Sequence, residues 1–590
     1  MNPGLTRQED GSWVYLNTVP GATVTGVAGY LLSNQPSANN AVIYFGGAPK
    51  VWNGAANVTI IGSAGNDLVD NTHGENTKID LGDGNDSIDS HASNSTLIGG
   101  ADNDSIHNGE GSNVTISGGK GNDILHNYGN KVKINAGADN DSIVNGGSKV
   151  SINVGTGNDS IWSWGNNITI LAGTGNDTLD ITGNSVSINA TADSIGDYFQ
   201  NAGNKVTILA GVGNDTIESG YLSPQYKGSN VTINAGNGNN KINLDGGNNI
   251  SIKAGKNDDT IIASASSKKF QKMTISAGNG KNFVSVASGW SNVTISGGVD
   301  DDEIYNSGSK VSINAGDGKN SVDNGYYDQK IIYGSNTTIQ AGDKDDVINN
   351  IANNVSINAG NGKNTITNGF YDTSFENLLT WMTEGLDQYV DYILKITNNS
   401  ASLVRGGDDA IINSGNDDDL IVNRGSYASI SSGSGKDRIF SADGEYNIIN
   451  SEDDDDKIIV HHDVGSMIIG GAGNDEIMVN RFGPNDYCEA TRFVSQLVAN
   501  KMIDKAKSCI KNFLVKSASS LAISKNPYVT AAVAAFSAGW EIGDFFNEII
   551  GFFKTRRQLI EEFSSESRII GGTGNDTLIC DGLSNRTYCI

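Results

Sequence analysis

One pattern, "GxGND", returns along most of this chain, and its spacing limits the folds open to it. Aligned on the closing aspartate, the copies give Asp67, Asp86, Asp104, Asp123, Asp141, Asp159 and Asp177. Successive steps are 19, 18, 19, 18, 18 and 18 residues. A shortened copy, "ATADSI", puts Asp193 in the role, and Asp215 follows. Later members are Asp259, Asp302, Asp346, Asp409, Asp419, Asp437, Asp456, Asp475 and Asp576. Fixed periods of this length mark a repeat array rather than a set of separate globular domains.

One unit, "VGTGNDSIWSWGNNITIL", reads as turn, strand, turn, strand. Glycine supplies backbone conformations in "GTGND" that other residues resist. Ile161 is the apolar plug of the first strand. In the second strand Ile168 and Ile170 face one way and Thr169 the other, the alternation of a half-buried strand. Each coil then buries about three branched aliphatics, at roughly 1.5–3 kcal/mol each. That does not offset the chain entropy of a single coil, so many coils must stack on a shared core. The pattern predicts an all-β repeat fold, a right-handed parallel β-roll or β-solenoid of about twenty 18–19-residue coils.

Composition agrees. The chain has 590 residues, 75 glycines and a formal net charge of −27. Such a charge repels phosphates, which excludes nucleic acid as the expected partner, and it suits cations. Four cysteines lie late, at Cys488, Cys509, Cys580 and Cys589, with no C-x-x-C pattern that would suggest zinc. The N-terminal "MNPGLTRQEDGSWVYL" lacks the apolar core of a cleavable signal.

The stretches "GGKGNDILH", "GGAGNDEIM" and "GGTGNDTLI" resemble the nonapeptide G-G-x-G-x-D-x-U-x of RTX, or haemolysin-type, calcium-binding repeats. The resemblance covers most of residues 57–480 and then 571–579. It implies calcium as cofactor, held by matching aspartates and turn carbonyls: Asp67, Asp86, Asp104, Asp123, Asp141, Asp159, Asp177, Asp215, Asp259, Asp302, Asp346, Asp419, Asp437, Asp456, Asp475 and Asp576. It also implies extracellular localisation, secreted or at the cell surface, through type I secretion with an uncleaved C-terminal signal. Elementary electrostatics points the same way. Stacked carboxylates about 4.8 Å apart repel by roughly 1 kcal/mol in water, and by several in a lower dielectric. Calcium takes six to eight oxygens from carboxylates and carbonyls. Solvated Asx-turns are the competing reading of the same residues.

This chain departs from the family pattern in that every second turn, "GN-K-V" or "GS-N-V", has no carboxylate. The expected site is therefore one-sided, with calcium along the "GxGND" edge and a hydrogen-bonded, metal-free edge opposite. From Asp215 onward the aligned position alternates: Asp215, Asn240, Asp259, Asn282, Asp302, Asn320, Asp346, Asn364. Lys281, Lys319 and Lys363 precede three of these asparagines. The expectation is that their ammonium groups stand in for calcium between acidic coils, leaving residues 236–364 poor in the ion. Neutral drift is the plainer reading. The outward residue of the second strand is also repetitive: Thr59, Thr115, Ser151, Thr169, Ser187, Thr207, Thr232, Thr294. That face suits contact with a cell surface or polysaccharide, or is a solvated β face.

Two segments break the repeat. "TSFENLLTWMTEGLDQYVDYILKI" carries apolar residues at helical spacing. Residues 484–568 are helical by pattern and nearly free of glycine turns. Glu541, Asp544 and Glu548 make a simple membrane span there costly. The division expected is a cap at 1–56, roll at 57–372, a helical insertion at 373–404 and roll at 405–483. A helical subdomain at 484–568 and a final repeat with tail at 569–590 complete it. The turn at Asp576 is expected to stack beside the coil at Asp475. No H-E-x-x-H, G-x-S-x-G or Walker loop occurs, so no catalysis is expected. The function expected is that of a calcium-binding, calcium-folded structural or adhesive protein outside the cell. The alternative is a toxin-like protein acting on membranes through 484–568.

Overall fold

The apolar residue two positions after each ladder aspartate, a branched aliphatic except at Phe199, and the one in the following strand plug the same interior. Ile88 pairs in parallel register with Ile106, Ile106 with Leu125, Leu125 with Ile143, and Ile143 with Ile161. On the facing sheet Leu97 pairs with Ile116, Ile116 with Ile134, and Ile134 with Ile152. All of these side chains are buried. Each coil repeats the same register, so the two stacks of plugs meet as a continuous core. The protein is a parallel β-solenoid of about 21 turns. The computed structural model describes residues 4–369 and 406–480, apart from 8–12, 27–29, 46–49, 193, 221–227, 266–268, 329–330, 443, 462 and 464–465. It also describes 497–498, 568–570, 572–573 and 577–581. Among the described residues every regular element is a strand.

The chain divides into two compact units, Met1–Ser285 and Val286–Ile590. In the first, parallel stacking starts at the strand Trp13–Asn17, which lies beside Leu31–Asn34. Its other edge pairs antiparallel with Gly4–Arg7. That strand covers an edge that would otherwise offer unpaired backbone groups.

In the second unit the file Ile304, Val322, Ile348, Ile366, Ile421, Ile439, Ile458, Ile477 continues coil by coil. Ile366 is paired directly with Ile421, so residues 55 positions apart occupy adjacent rungs. Likewise Ile468 pairs with Ile569 and Ile477 with Leu578. The final repeat thus stacks on the coil that carries Asp475, as its sequence predicts. The helices expected at 373–404 and within 484–568 lie outside the described residues.

Candidate functional site

The "GxGND" turn places its two last residues on opposite sides. The asparagine points outward and the aspartate inward. Inward aspartates from Asp67 to Asp215, and then Asp259, Asp302, Asp346, Asp419, Asp437, Asp456 and Asp475, are at most 5% exposed. The carboxyls expected along the "GxGND" edge are thus buried on its inner side.

One oxygen of each carboxyl has a fixed task. The amide of Asp86 donates to Oδ1 of Asp104 at 2.8 Å, that of Asp104 to Asp123 at 2.8 Å, and that of Asp123 to Asp141 at 2.8 Å. The pattern holds from Asp67 to Asp215. In the second unit it joins Asp419, Asp437, Asp456 and Asp475. Each aspartate so binds the backbone of the coil before it, and the column is a ladder of amide–carboxyl bonds.

The second oxygen of Asp67 accepts the Ser63 amide at 2.6 Å, but in the coils that follow it has no such task. In five consecutive coils, at Asp86, Asp104, Asp123, Asp141 and Asp159, Oδ2 is buried without a hydrogen-bond partner. The asparagine coils show what surrounds it. Asn240 Oδ1 accepts the Asp215 amide at 3.0 Å, as an aspartate would, and its Nδ2 donates to the Gly238 carbonyl at 3.0 Å. Asn320 Nδ2 donates to Gly316 and Gly318 carbonyls at 3.0 and 3.1 Å. An aspartate in this frame turns an acceptor toward turn carbonyls. Oxygens facing oxygens need a proton or a cation between them.

Burial raises these carboxyl pKa values. It takes Asp86, Asp123, Asp141 and Asp259 to about 7 and Asp104 to about 6, although the amide from the preceding coil offsets part of the effect. Neighbouring aspartates add to the rise at Asp86, Asp123 and Asp141. In the second unit burial takes Asp346 to about 7, and Asp419 and Asp456 to about 8.

The residue five before the aspartate sets the room beside Oδ2. Where it is glycine, a cradle opens. A Cβ on Gly118 would lie 2.2 Å from Asp123 Oδ2 and 2.6 Å from the Ala136 carbonyl. A Cβ on Gly297 would lie 2.2 Å from Asp302 Oδ2 and 2.3 Å from the Ala315 carbonyl. These separations forbid a side chain, so only glycine leaves Oδ2 and the turn carbonyl facing each other without a carbon between them. The donor set is hard oxygen from a carboxyl and carbonyls, and it fits calcium.

The outward column carries its own ladder. Asn103 donates its amide to Asn85 Oδ1 at 3.0 Å, and Asn122 to Asn103 at 2.7 Å. In the second unit this column alternates Asp301, Lys319, Asp345, Lys363, Asp418, Lys436, Asp455. Lys319 Nζ lies 2.8 Å from Asp345, Lys363 2.7 Å from Asp418, and Lys436 3.0 Å from Asp455. These lysines pair with outward aspartates of the next coil and not with the buried column. It is the amide of Asn320 or Asn364 that removes charge from the interior.

The opposite turn is hydrogen-bonded, and its key residue was not read from the sequence. Four positions after many of these aspartates an asparagine or serine points inward; after Asp177, Asp259 and Asp456 the place is taken by Ile181, Ala263 and Val460. Asn108 Nδ2 donates to Asn127 Oδ1 at 2.7 Å, and Asn127 to Asn145 at 2.8 Å. In the second unit Asn306, Asn324, Asn350, Asn368 and Asn423 form an unbroken series at 2.7 Å. The recurring "N" at this offset was the available signal.

Two positions differ from their expected roles. Asp197, not the expected Asp193, carries the ladder between Asp177 and Asp215; Asp193 lies outside the described residues. Asp409 sits in the opposite turn, with φ +57°, immediately before buried Ala410. Asp576 lies outside the described residues, between strands that stack on the Asp475 coil. Neither the protein-family models nor the curated proteins compared with this chain match it.

Proposed function

We propose that this chain is an extracellular calcium-binding β-solenoid whose folding is coupled to calcium, acting as a structural or adhesive protein of the cell surface or its surroundings. The observation that carries this reading is the column of buried carboxyls whose Oδ2 atoms face turn carbonyls. A divalent cation bound there neutralises the column and ties adjacent coils together. Asp104, Asp123 and Asp302, each with glycine five residues before, offer room for the ion; the rest of the column supplies charge, and the glycine turns supply carbonyl oxygens. With little calcium, burying the charged column opposes folding; at millimolar calcium, binding to the folded state alone favours it. The alternating Asn240, Asn282, Asn320 and Asn364 lower the charge to be neutralised and need no ion, so calcium concentrates where aspartates are consecutive.

Equilibrium dialysis of the chelator-stripped full chain against calcium alone tests this reading. Several ions per chain, retained against excess magnesium, are expected. Binding no greater than that of an exposed acidic surface, and abolished by moderate salt, would overturn it.

A further inference from the structure

The outer face of the first unit carries a histidine-rich file unrelated to the buried column. Asp89, His107 and His126 occupy the same outward register position in three successive coils. His91 lies two residues beyond Asp89. One ligand atom from each of Asp89, His91 and His107 falls within 4.8 Å of the others. His107 Nδ1 is 2.8 Å from Asp89 Oδ1, and His91 Nε2 is 3.6 Å from the same oxygen. These separations bracket the about 3.3 Å between ligand atoms of a tetrahedral zinc site with bonds near 2.0–2.1 Å.

Two features hold the rings in place. A Cβ on Gly109 would lie 2.4 Å from His91 Cε1, so only glycine lets this imidazole lean across the next coil. On the far side His107 packs edge-on against Tyr128 at 5.7 Å and His126 at 6.4 Å. Asp70, which precedes Asp89 in the file, is engaged by Lys50 at 3.1 Å, leaving Asp89 as the carboxylate next to the imidazoles.

We infer that Asp89, His91 and His107 form a surface site for a divalent transition metal, of which zinc is the natural test ion. Two imidazoles with one carboxylate are a donor set for zinc, copper or nickel and a poor one for calcium or magnesium. The site joins two coils from outside, at a place where calcium chemistry has no part. Three protein donors leave coordination positions for water or a further ligand.

The test is calorimetric titration of the full chain with zinc alone, in buffer holding saturating calcium, for wild type and for H91A, H107A and the double variant. The difference between wild type and the double variant removes any contribution from His73, His461, His462 or the cysteines. One zinc per chain is expected to disappear in the double variant, with each single variant binding it at least about tenfold more weakly. Circular dichroism should be unchanged, because all three side chains are partly or fully exposed. Equal zinc stoichiometry and affinity in wild type and double variant would overturn the inference.

Discussion

The backbone amide of Asp104 donates to the side chain of Asp123, one coil further on, at 2.8 Å. The same residue that carries the repeat's charge is therefore a backbone fastener. The two roles separate by oxygen: Oδ1 holds the neighbouring coil, and Oδ2 decides what the column binds.

Replacing Asp123 by asparagine keeps the first role and ends the second. In asparagine coils Nδ2 donates to turn carbonyls, as Asn320 does to Gly318. D123N is expected to stabilise the calcium-free protein by about 1–3 kcal/mol, the usual cost of an unsatisfied buried polar group. It should also lower the number of bound calcium ions. Thermal unfolding in chelator and a calcium count on the same variant check both.

The pH dependence follows from the raised carboxyl pKa values. Burial raises folded values to about 6–8, above the ordinary value near 3.9. The folded state thus holds protons more tightly than the unfolded one. The associated stability is complete below the ordinary carboxylate range and is lost as pH rises through about 6–8. Without calcium, the melting temperature should fall between pH 5 and pH 8. With calcium the fall should shrink, because the ion replaces the proton. Melting curves at several pH values, with and without calcium, make the comparison.

The asparagine ladder of the opposite turn predicts a different signature. N127A leaves Asn108 without its acceptor and Asn145 without its donor. A loss of about 1–3 kcal/mol for each unsatisfied group is expected. N127S should cost less, since Ser90 and Ser163 accept in the same position. Neither variant should alter the calcium count. Hydrogen exchange of the neighbouring rungs, with calcium binding as control, separates this edge from the acidic one.

The lysines of the outward column are fully solvated partners. K319A and K363A are expected to change stability only slightly and only at low salt. Calcium affinity should be unaffected at high salt, where exposed charges are screened. A titration of each variant at two ionic strengths reads this directly.

Much of the roll is legible in the sequence because its period is rigid. Ile161, Ile168 and Ile170 alternate with outward residues, and all three are buried where the pattern puts them. The sense of Asp123 was harder to read, because strand alternation is not a guide through a glycine turn with left-handed residues. Asp193 matched the local string "ADSI", but Asp197 is followed by the plug Phe199 and the ladder residue Asn201, which is what the stack requires. Asp409 shares the acidic string yet precedes a strand of the other sheet, Ile411–Asn413. Pairings between coils, such as Lys319 with Asp345, depend on register across a 26-residue unit and are invisible within one repeat.

The most direct measurement is a calcium titration of the chelator-stripped full chain at pH 8, followed by far-ultraviolet circular dichroism. At that pH most of the buried column must ionise or find a cation. The account predicts a cooperative gain of β signal with calcium that magnesium does not reproduce. A chain already fully folded in chelator, with unchanged signal and unchanged melting temperature on adding calcium, would contradict it.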